Sequence, residues 1–99
     1  MTVAFSPAAE RDLEEIGDHI AQDSPIRAIA FVAEIRERCL AVEAAPEAAP
    51  LRVDLAAGLR MAVQGRCLIF YRILPDQIRV ERVLHGARDI AALFRREDD

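Results

Sequence analysis

Arginine and histidine side chains gather near the end of the chain, in the stretch RVERVLHGARD at residues 79–89. Its pattern predicts a strand that runs into a turn and then a helix, and it carries Arg79, Arg82, His85 and Arg88. Arginine stabilises the negative charge of a phosphate or a carboxylate but transfers protons poorly. Histidine moves protons near pH 7. Three interpretations follow: a catalytic site, a binding surface and a solvated face.

A catalytic site would need a proton carrier together with cations that stabilise developing negative charge. The candidates for these tasks are Arg60, Arg66, Arg82, Arg88 and His85. All 13 basic residues are arginine, so no lysine is present to carry protons, and the formal net charge of -4 suits a phosphate-rich target poorly. We therefore favour a binding surface over a catalytic site. For His85 we favour a strand-end role, with the ring bonded to the backbone at the Gly86 turn.

Length and composition predict one domain over residues 1–99. We find no apolar run of the roughly 18–20 residues that span a bilayer, and the N-terminus has neither a basic start nor an apolar core typical of a signal peptide. We therefore expect a cytoplasmic protein. Cys39 and Cys67 lack metal-site spacing, so we expect buried free thiols, with neither a metal nor a cofactor.

Charge is divided along the chain. Residues 1–50 contain four arginines and ten acidic residues, a net charge of -6, whereas residues 51–99 contain nine arginines and seven acidic residues, a net charge of +2. We interpret the acidic half as a solvated face. The alternative, that it contacts a target, stays open.

Local patterns place the elements that would position these residues. Residues 2–5 predict a strand. Ser6-Pro7 and Ser24-Pro25 each predict a helix start, the first helix running to about residue 23 and the second to about residue 45. The short connection between two amphipathic helices predicts an antiparallel helical hairpin.

The second half predicts a loop at 46–58 and three strands at 59–63, 66–74 and 77–84, the middle one central to the sheet. The first two strands would turn at Gln64-Gly65, and Asp89 would cap a short last helix. The fold class is thus α+β: an N-terminal strand, a helical hairpin packed on a mainly antiparallel sheet, and a short C-terminal helix.

Strand alternation predicts which side chains share a face. It separates Tyr71 from Arg72 on the middle strand, and on the last strand it groups Ile78, Val80, Arg82 and Leu84. A hairpin on one face leaves the other open to solvent or a partner. The side chains on both faces of the middle strand are mostly apolar. The second face of the sheet therefore needs to be covered by the C-terminal helix or by a partner chain.

Three segments together resemble the ParE/RelE superfamily of bacterial toxins: SPAAERDLEEIGDHIA, GLRMAVQGRCLIFYRI and RVLHGARDIAALF. The resemblance covers about residues 3–94 and is to the ParE branch. It implies the fold predicted above and a function as the toxin of a type II toxin–antitoxin pair.

The branch decides the activity that the resemblance implies. ParE-like toxins typically poison DNA gyrase and are not enzymes, whereas RelE-like toxins cut messenger RNA on the ribosome. Phe94 lies where the RNA-cutting branch tends to place a tyrosine, and phenylalanine carries no proton. We therefore expect gyrase inhibition. The alternatives are a RelE-like ribonuclease and a weakly toxic interaction module of the same fold.

The resemblance also implies a partner, a ParD-like antitoxin with a ribbon-helix-helix dimer at its N-terminus. Its C-terminal segment would fold on apolar grooves of the toxin, with acidic side chains meeting Arg60, Arg72 and Arg82. The complex would be built on the antitoxin dimer, and DNA binding would belong to the antitoxin, not to the toxin alone. Candidate contacts with the antitoxin or target are Arg60, Tyr71, Arg72, Arg82, His85, Arg88 and Phe94.

Overall fold

Two helices and a four-stranded mixed sheet form the structure, a computed structural model that describes residues 1–86, 90 and 94. The predicted α+β class and N-terminal strand are confirmed. In chain order the elements are β1 (Thr2–Phe5), α1 (Pro7–Ala21), α2 (Pro25–Ala41), a 3-10 turn (Val42–Ala44), β2 (Arg60–Gln64), β3 (Cys67–Ile73) and β4 (Gln77–His85). None of the helices in this described part is long and apolar enough to cross a membrane.

Both helices begin at the predicted serine–proline pairs. The Ser6 hydroxyl accepts the N–H of Ala9 at 3.0 Å, and the Ser24 hydroxyl accepts the N–H of Arg27 at 3.3 Å. Each cap satisfies an amide that has no partner within the helix, and the following proline lacks such an amide altogether. The first helix ends two residues earlier than predicted, at Ala21.

The sheet has the strand order β1-β4-β3-β2, so β3 and β4 are both interior. β1 is parallel to β4, and the other pairs are antiparallel, as the prediction of a mainly antiparallel sheet required. Gln64 pairs with Cys67, which places the turn at Gly65 and Arg66, one residue later than predicted. Gly65 has a φ of 58° and Arg66 does not have a positive φ, as in a type II′ turn.

A β-bulge interrupts β4 at Glu81. Tyr71 pairs with Val80 and Phe70 pairs with Arg82, so Glu81 is an extra residue with no position of its own in the register. The Ser6 hydroxyl donates to the Glu81 carbonyl at 2.7 Å, which ties the bulge to the start of α1.

The bulge overturns the alternation predicted for β4. Val83 joins Ile78 and Val80 in the cluster that packs against the helices, while Leu84 packs with Phe70 in another cluster. The predicted grouping of Leu84 with Ile78 and Val80 is wrong because the inserted residue exchanges the faces on which Val83 and Leu84 lie.

Two apolar clusters cover the two faces of the sheet. The first unites α1, α2 and the sheet through Leu13, Ile16, Ile35, Ile69, Tyr71 and Val80 among others. The second contains Leu59, Phe70, Leu84 and Phe94, with Leu55, Ala56, Met61, Leu68 and Ile90 against it. The second face is thus covered within the chain, as its apolar side chains required, by residues 55–59 together with Ile90 and Phe94. Ile90 and Phe94 have helical backbone, while Asp89 lies outside the described residues.

Candidate binding surfaces

Arg82 is part of an ion pair that joins β4 to α1. Its Nε lies 2.7 Å from Asp12 Oδ2 and its Nη2 lies 2.9 Å from Asp12 Oδ1. The N–H of Val83 donates to the same carboxylate at 2.9 Å. The exposed fractions are only 14% for the Arg82 side chain and 7% for that of Asp12. Arg82, predicted as a contact for a partner, thus has an internal structural role.

Arg72 is also engaged within the chain. Its Nη1 lies 2.7 Å from Glu81, and its Nε donates to the Ala57 carbonyl at 3.3 Å. Arg79, the cross-strand neighbour of Arg72, pairs with the other oxygen of Glu81. One carboxylate therefore offsets the repulsion of two adjacent arginines, and Arg72 holds the loop that precedes β2.

Arg60 and Tyr71 lie directly opposite each other on β2 and β3 and hold one loop. Arg60 Nη1 donates to the carbonyls of Glu47 at 3.1 Å and Ala49 at 2.8 Å. The Tyr71 hydroxyl donates to the Pro46 carbonyl at 2.6 Å. Burial raises the pKa of Tyr71 despite the nearby charge of Arg60, so the phenol remains a donor at neutral pH.

His85 packs its ring edge-on against Phe31, with the ring centroids 5.5 Å apart. The backbone turns directly after it at Gly86, which has a φ of 82° and donates its N–H to the Arg66 carbonyl at 3.2 Å. We predicted a hydrogen bond from the ring of His85 to the backbone of the Gly86 turn. The contact seen is with the aromatic ring of Phe31, and it joins β4 to α2.

Both histidines of the chain line one pocket of about 240 Å³ between α1 and β4. Its other lining residues are Asp12, Glu15, Ile16 and Val83. Two of these side chains are carboxylic acids and none is arginine. Glu15 adds a negative charge beside the histidines, and the Asp12 carboxylate is held by Arg82, so this pocket suits a phosphate poorly.

Phe94 is part of the core. It is 4% exposed, and its ring meets that of Phe70 edge-on with centroids 4.9 Å apart. That Phe94 contacts the antitoxin or the target stays a prediction. Its role in the structure is to pack in the core against Phe70. Arg88 lies outside the described residues.

A groove at the edge strand β2 was missed by the sequence reasoning. It has a volume of about 330 Å³ and lies between the end of α2, residues 45–50 and β2, with the half-buried Arg38 at its rim. Alanines, Val42, Met61 and Val63 make its walls mostly apolar. Alanine occurs on exposed helices as well as in apolar walls, so these alanines do not indicate a groove from the sequence alone.

The backbone of β2 faces this groove at alternate residues. The Met61 N–H donates to the Pro50 carbonyl at 3.1 Å, so Met61 directs its backbone groups away from β3. Val63, two residues on, directs its groups the same way, and its side chain is 52% exposed. Residues 50–52 already pair with β2 at Arg60 and Met61, so an extended segment of another protein could add to the sheet beyond them, at Val63.

The two thiols behave as predicted. Cys39 and Cys67 are free and buried in the cluster beneath the helices. Burial raises the pKa of Cys39 to about 12 and also raises the pKa of Cys67. Both therefore remain protonated and unreactive at neutral pH.

The helical hairpin, the parallel N-terminal strand and the antiparallel meander together define the α+β fold of the ParE and RelE toxins. A family model described as the ParE toxin of the type II toxin–antitoxin system parDE matches residues 3–90. The chain belongs to this ParE toxin family, and it is a toxin of a type II toxin–antitoxin system. The predicted membership is confirmed.

Two solved structures illustrate the likeness. A chain of the chromosomal ParDE toxin–antitoxin system from P. aeruginosa is 20% identical, with a TM-score of 0.77 over 88% of this chain and 97% of that one. A chain of the RelBE2 toxin–antitoxin complex from Mycobacterium tuberculosis is 29% identical, with a TM-score of 0.65 over 88% of this chain and 92% of that one. Among curated proteins, no sequence matches this chain.

Proposed function

We propose that this toxin inhibits DNA gyrase without catalysing a reaction of its own. The match to the ParE toxin model over residues 3–90 carries the proposal, because ParE-like toxins typically poison gyrase. The same function places the protein in the cytoplasm, where gyrase acts on DNA.

The side-chain arrangement adds support. Arg72 and Arg82 are bound to carboxylates and Arg60 to backbone carbonyls, so their charge is directed inward. His85 lines a pocket with Glu15, whose charge would repel an RNA phosphate, so a role for His85 in RNA cleavage is disfavoured. Phe94, at the position where a proton donor would be expected, is packed on Phe70. These contacts favour a recognition protein over a nuclease.

The test is induced expression without antitoxin, with two signals scored in the same cells: the DNA-break response and cleavage of messenger RNA at ribosomes. We expect DNA breaks with intact messages, because a poisoned gyrase leaves cleaved DNA. His85→Ala should leave toxicity mostly intact, since its ring packs on Phe31 and transfers no proton in this mechanism.

Rapid message cleavage without DNA breaks would contradict the proposal, as would complete loss of toxicity in a folded His85→Ala protein that still binds antitoxin. Neither signal at full expression would instead favour the weakly toxic interaction module. Purified gyrase is the next assay if breaks are seen.

The proposed antitoxin is ParD-like, and the complex would be built on its ribbon-helix-helix dimer, which would supply the DNA binding. We place part of its toxin-binding segment in the groove at β2. The apolar walls suit apolar side chains, the Val63 backbone offers strand pairing, and Arg38 suits an acidic residue. The earlier expectation that Arg60, Arg72 and Arg82 meet those acids is less favoured, because all three have partners within the chain.

Arg38→Glu is expected to weaken antitoxin binding roughly tenfold or more, because it places a like charge opposite an acidic segment. The measurement is calorimetric titration with the ribbon-helix-helix protein encoded beside the toxin gene. Arg11→Glu is the matched control, since Arg11 is an exposed arginine on α1. Equal affinities for the two variants would remove Arg38 from the interface.

A further inference from the structure

The outer face of α2 carries an exposed apolar stripe that runs the length of the helix. We define the outer stripe as Ile26, Ile29, Ala30, Ala33 and Leu40, with the charged Glu37 between its last two members. All of these residues are exposed, and their spacing keeps them on one side of a helix with 3.6 residues per turn. The buried residues Ala28, Ile35 and Cys39 lie on the opposite side.

The exposure of this stripe is unusual for a surface that faces only water. Ile26 is 81% exposed, Ile29 is 75% exposed and Leu40 is 52% exposed. Beside the stripe lies an apolar groove of about 550 Å³ between α1 and α2, which includes Ile29 and Ala33. Contiguous apolar surface of this kind marks an interaction site more often than isolated exposed residues do.

We propose that the outer stripe of α2 is the interface of a homodimer, in which α2 of a second copy packs antiparallel across Ala30 and Ala33. Small side chains at the crossing point let two helices approach closely, with Ile26 and Ile29 flanking the contact. The groove beside Ile29 gives the larger side chains of the second copy an apolar recess.

The charges of α2 select a second copy in this orientation. Arg27 and Glu37 are both exposed and lie on opposite sides of the Ala30–Ala33 centre. Antiparallel packing brings Arg27 of each copy to the level of Glu37 of the other, within one residue, or about 1.5 Å along the helix. Parallel packing would place Glu37 against Glu37. The helix is therefore charge-complementary to an inverted copy of itself.

The other charges near the stripe lie on its flanks. Arg36 is bound to Glu10 of α1 through two hydrogen bonds of 3.1 and 2.7 Å. Glu14 and Asp18 line the far wall of the groove on α1. The exposed Glu34 lies on the same flank of α2 as Arg27. We expect a reversible dimer, not a permanent one.

Sedimentation equilibrium of the full chain tests the proposal. We expect a monomer–dimer equilibrium that Ile29→Glu weakens roughly hundredfold, because it buries a charge in the contact. Arg27→Glu and Glu37→Arg should each weaken it roughly tenfold by setting like charges opposite each other. The double variant Arg27→Glu/Glu37→Arg should restore the wild-type affinity.

Arg11→Glu is the control for the change of net charge and should leave the dimer unchanged. Circular dichroism of each variant separates loss of the contact from loss of the fold. A wild-type chain that stays monomeric up to the limit of its solubility would overturn the proposal. So would a dimer that tolerates Ile29→Glu, or a double variant no tighter than its single parents. A monomer whose stripe binds only the antitoxin or gyrase would likewise overturn it.

Discussion

Asp12→Ala is expected to lower the free energy of unfolding by about 3–5 kcal/mol, the usual cost of removing one partner from a buried ion pair. The change leaves the Arg82 guanidinium at the α1–β4 junction without the carboxylate that it contacts at 2.7 and 2.9 Å. It also removes the acceptor of the Val83 N–H, which lies in a buried hydrogen bond. A total stability of about 5–15 kcal/mol is typical of a domain, so this loss removes a large share of it and should clearly lower the melting temperature.

Urea denaturation followed by far-ultraviolet circular dichroism measures this loss. Glu10→Ala is the matched control, since it breaks the ion pair with Arg36, whose side chains are 43% and 41% exposed. An exposed pair is worth less than about 1 kcal/mol. Similar midpoints for Asp12→Ala and Glu10→Ala would mean that the Asp12–Arg82 contact is not structural, and Arg82 would again be a candidate for binding a partner.

Phe94→Ala should cost about 3–5 kcal/mol, the range measured for truncation of a buried phenylalanine. The ring of Phe94 packs on Phe70 and forms a cluster with Leu59 and Leu84 on the sheet face opposite the helices. Its removal leaves a cavity and exposes this face to water. We therefore expect lower stability together with increased binding of hydrophobic dyes.

Phe94→Leu is the control, because it keeps most of the apolar volume and should cost less than about 1.5 kcal/mol. The same denaturation experiment compares the two variants with the wild type. If Phe94→Ala keeps full stability but loses binding to antitoxin or gyrase, Phe94 contacts a partner, as the sequence first suggested, and the assignment to the core is wrong.

The features predicted correctly from the sequence are those fixed by neighbouring residues. Ser6-Pro7 and Ser24-Pro25 start helices because a serine cap and a proline act within one turn. The apolar run from residue 67 to residue 73 predicts an interior strand because length and side-chain type suffice. Gly86 ends β4 because its positive φ suits glycine.

The features that sequence reasoning missed depend on residues far apart in the chain. Asp12 and Arg82 are separated by 70 positions, and no local pattern indicates that one binds the other. The bulge at Glu81 has the same cause, since pairing with β3 decides which residue is left over. From the sequence we predicted that Arg60, Arg72 and Arg82 contact a partner. In the structure these arginines bind carboxylates and carbonyls of the same chain.

The position of β1 in the sheet determines when the chain can complete its fold. β1 is made first but pairs only with β4, and Ser6 binds the Glu81 carbonyl across 75 positions. During translation, the first strand must wait until β4 has left the ribosome before its partner exists. Contacts of such long range are formed late and slowly. A chain that stops before residue 77 cannot assemble this sheet, so toxicity should require chains that extend through β4.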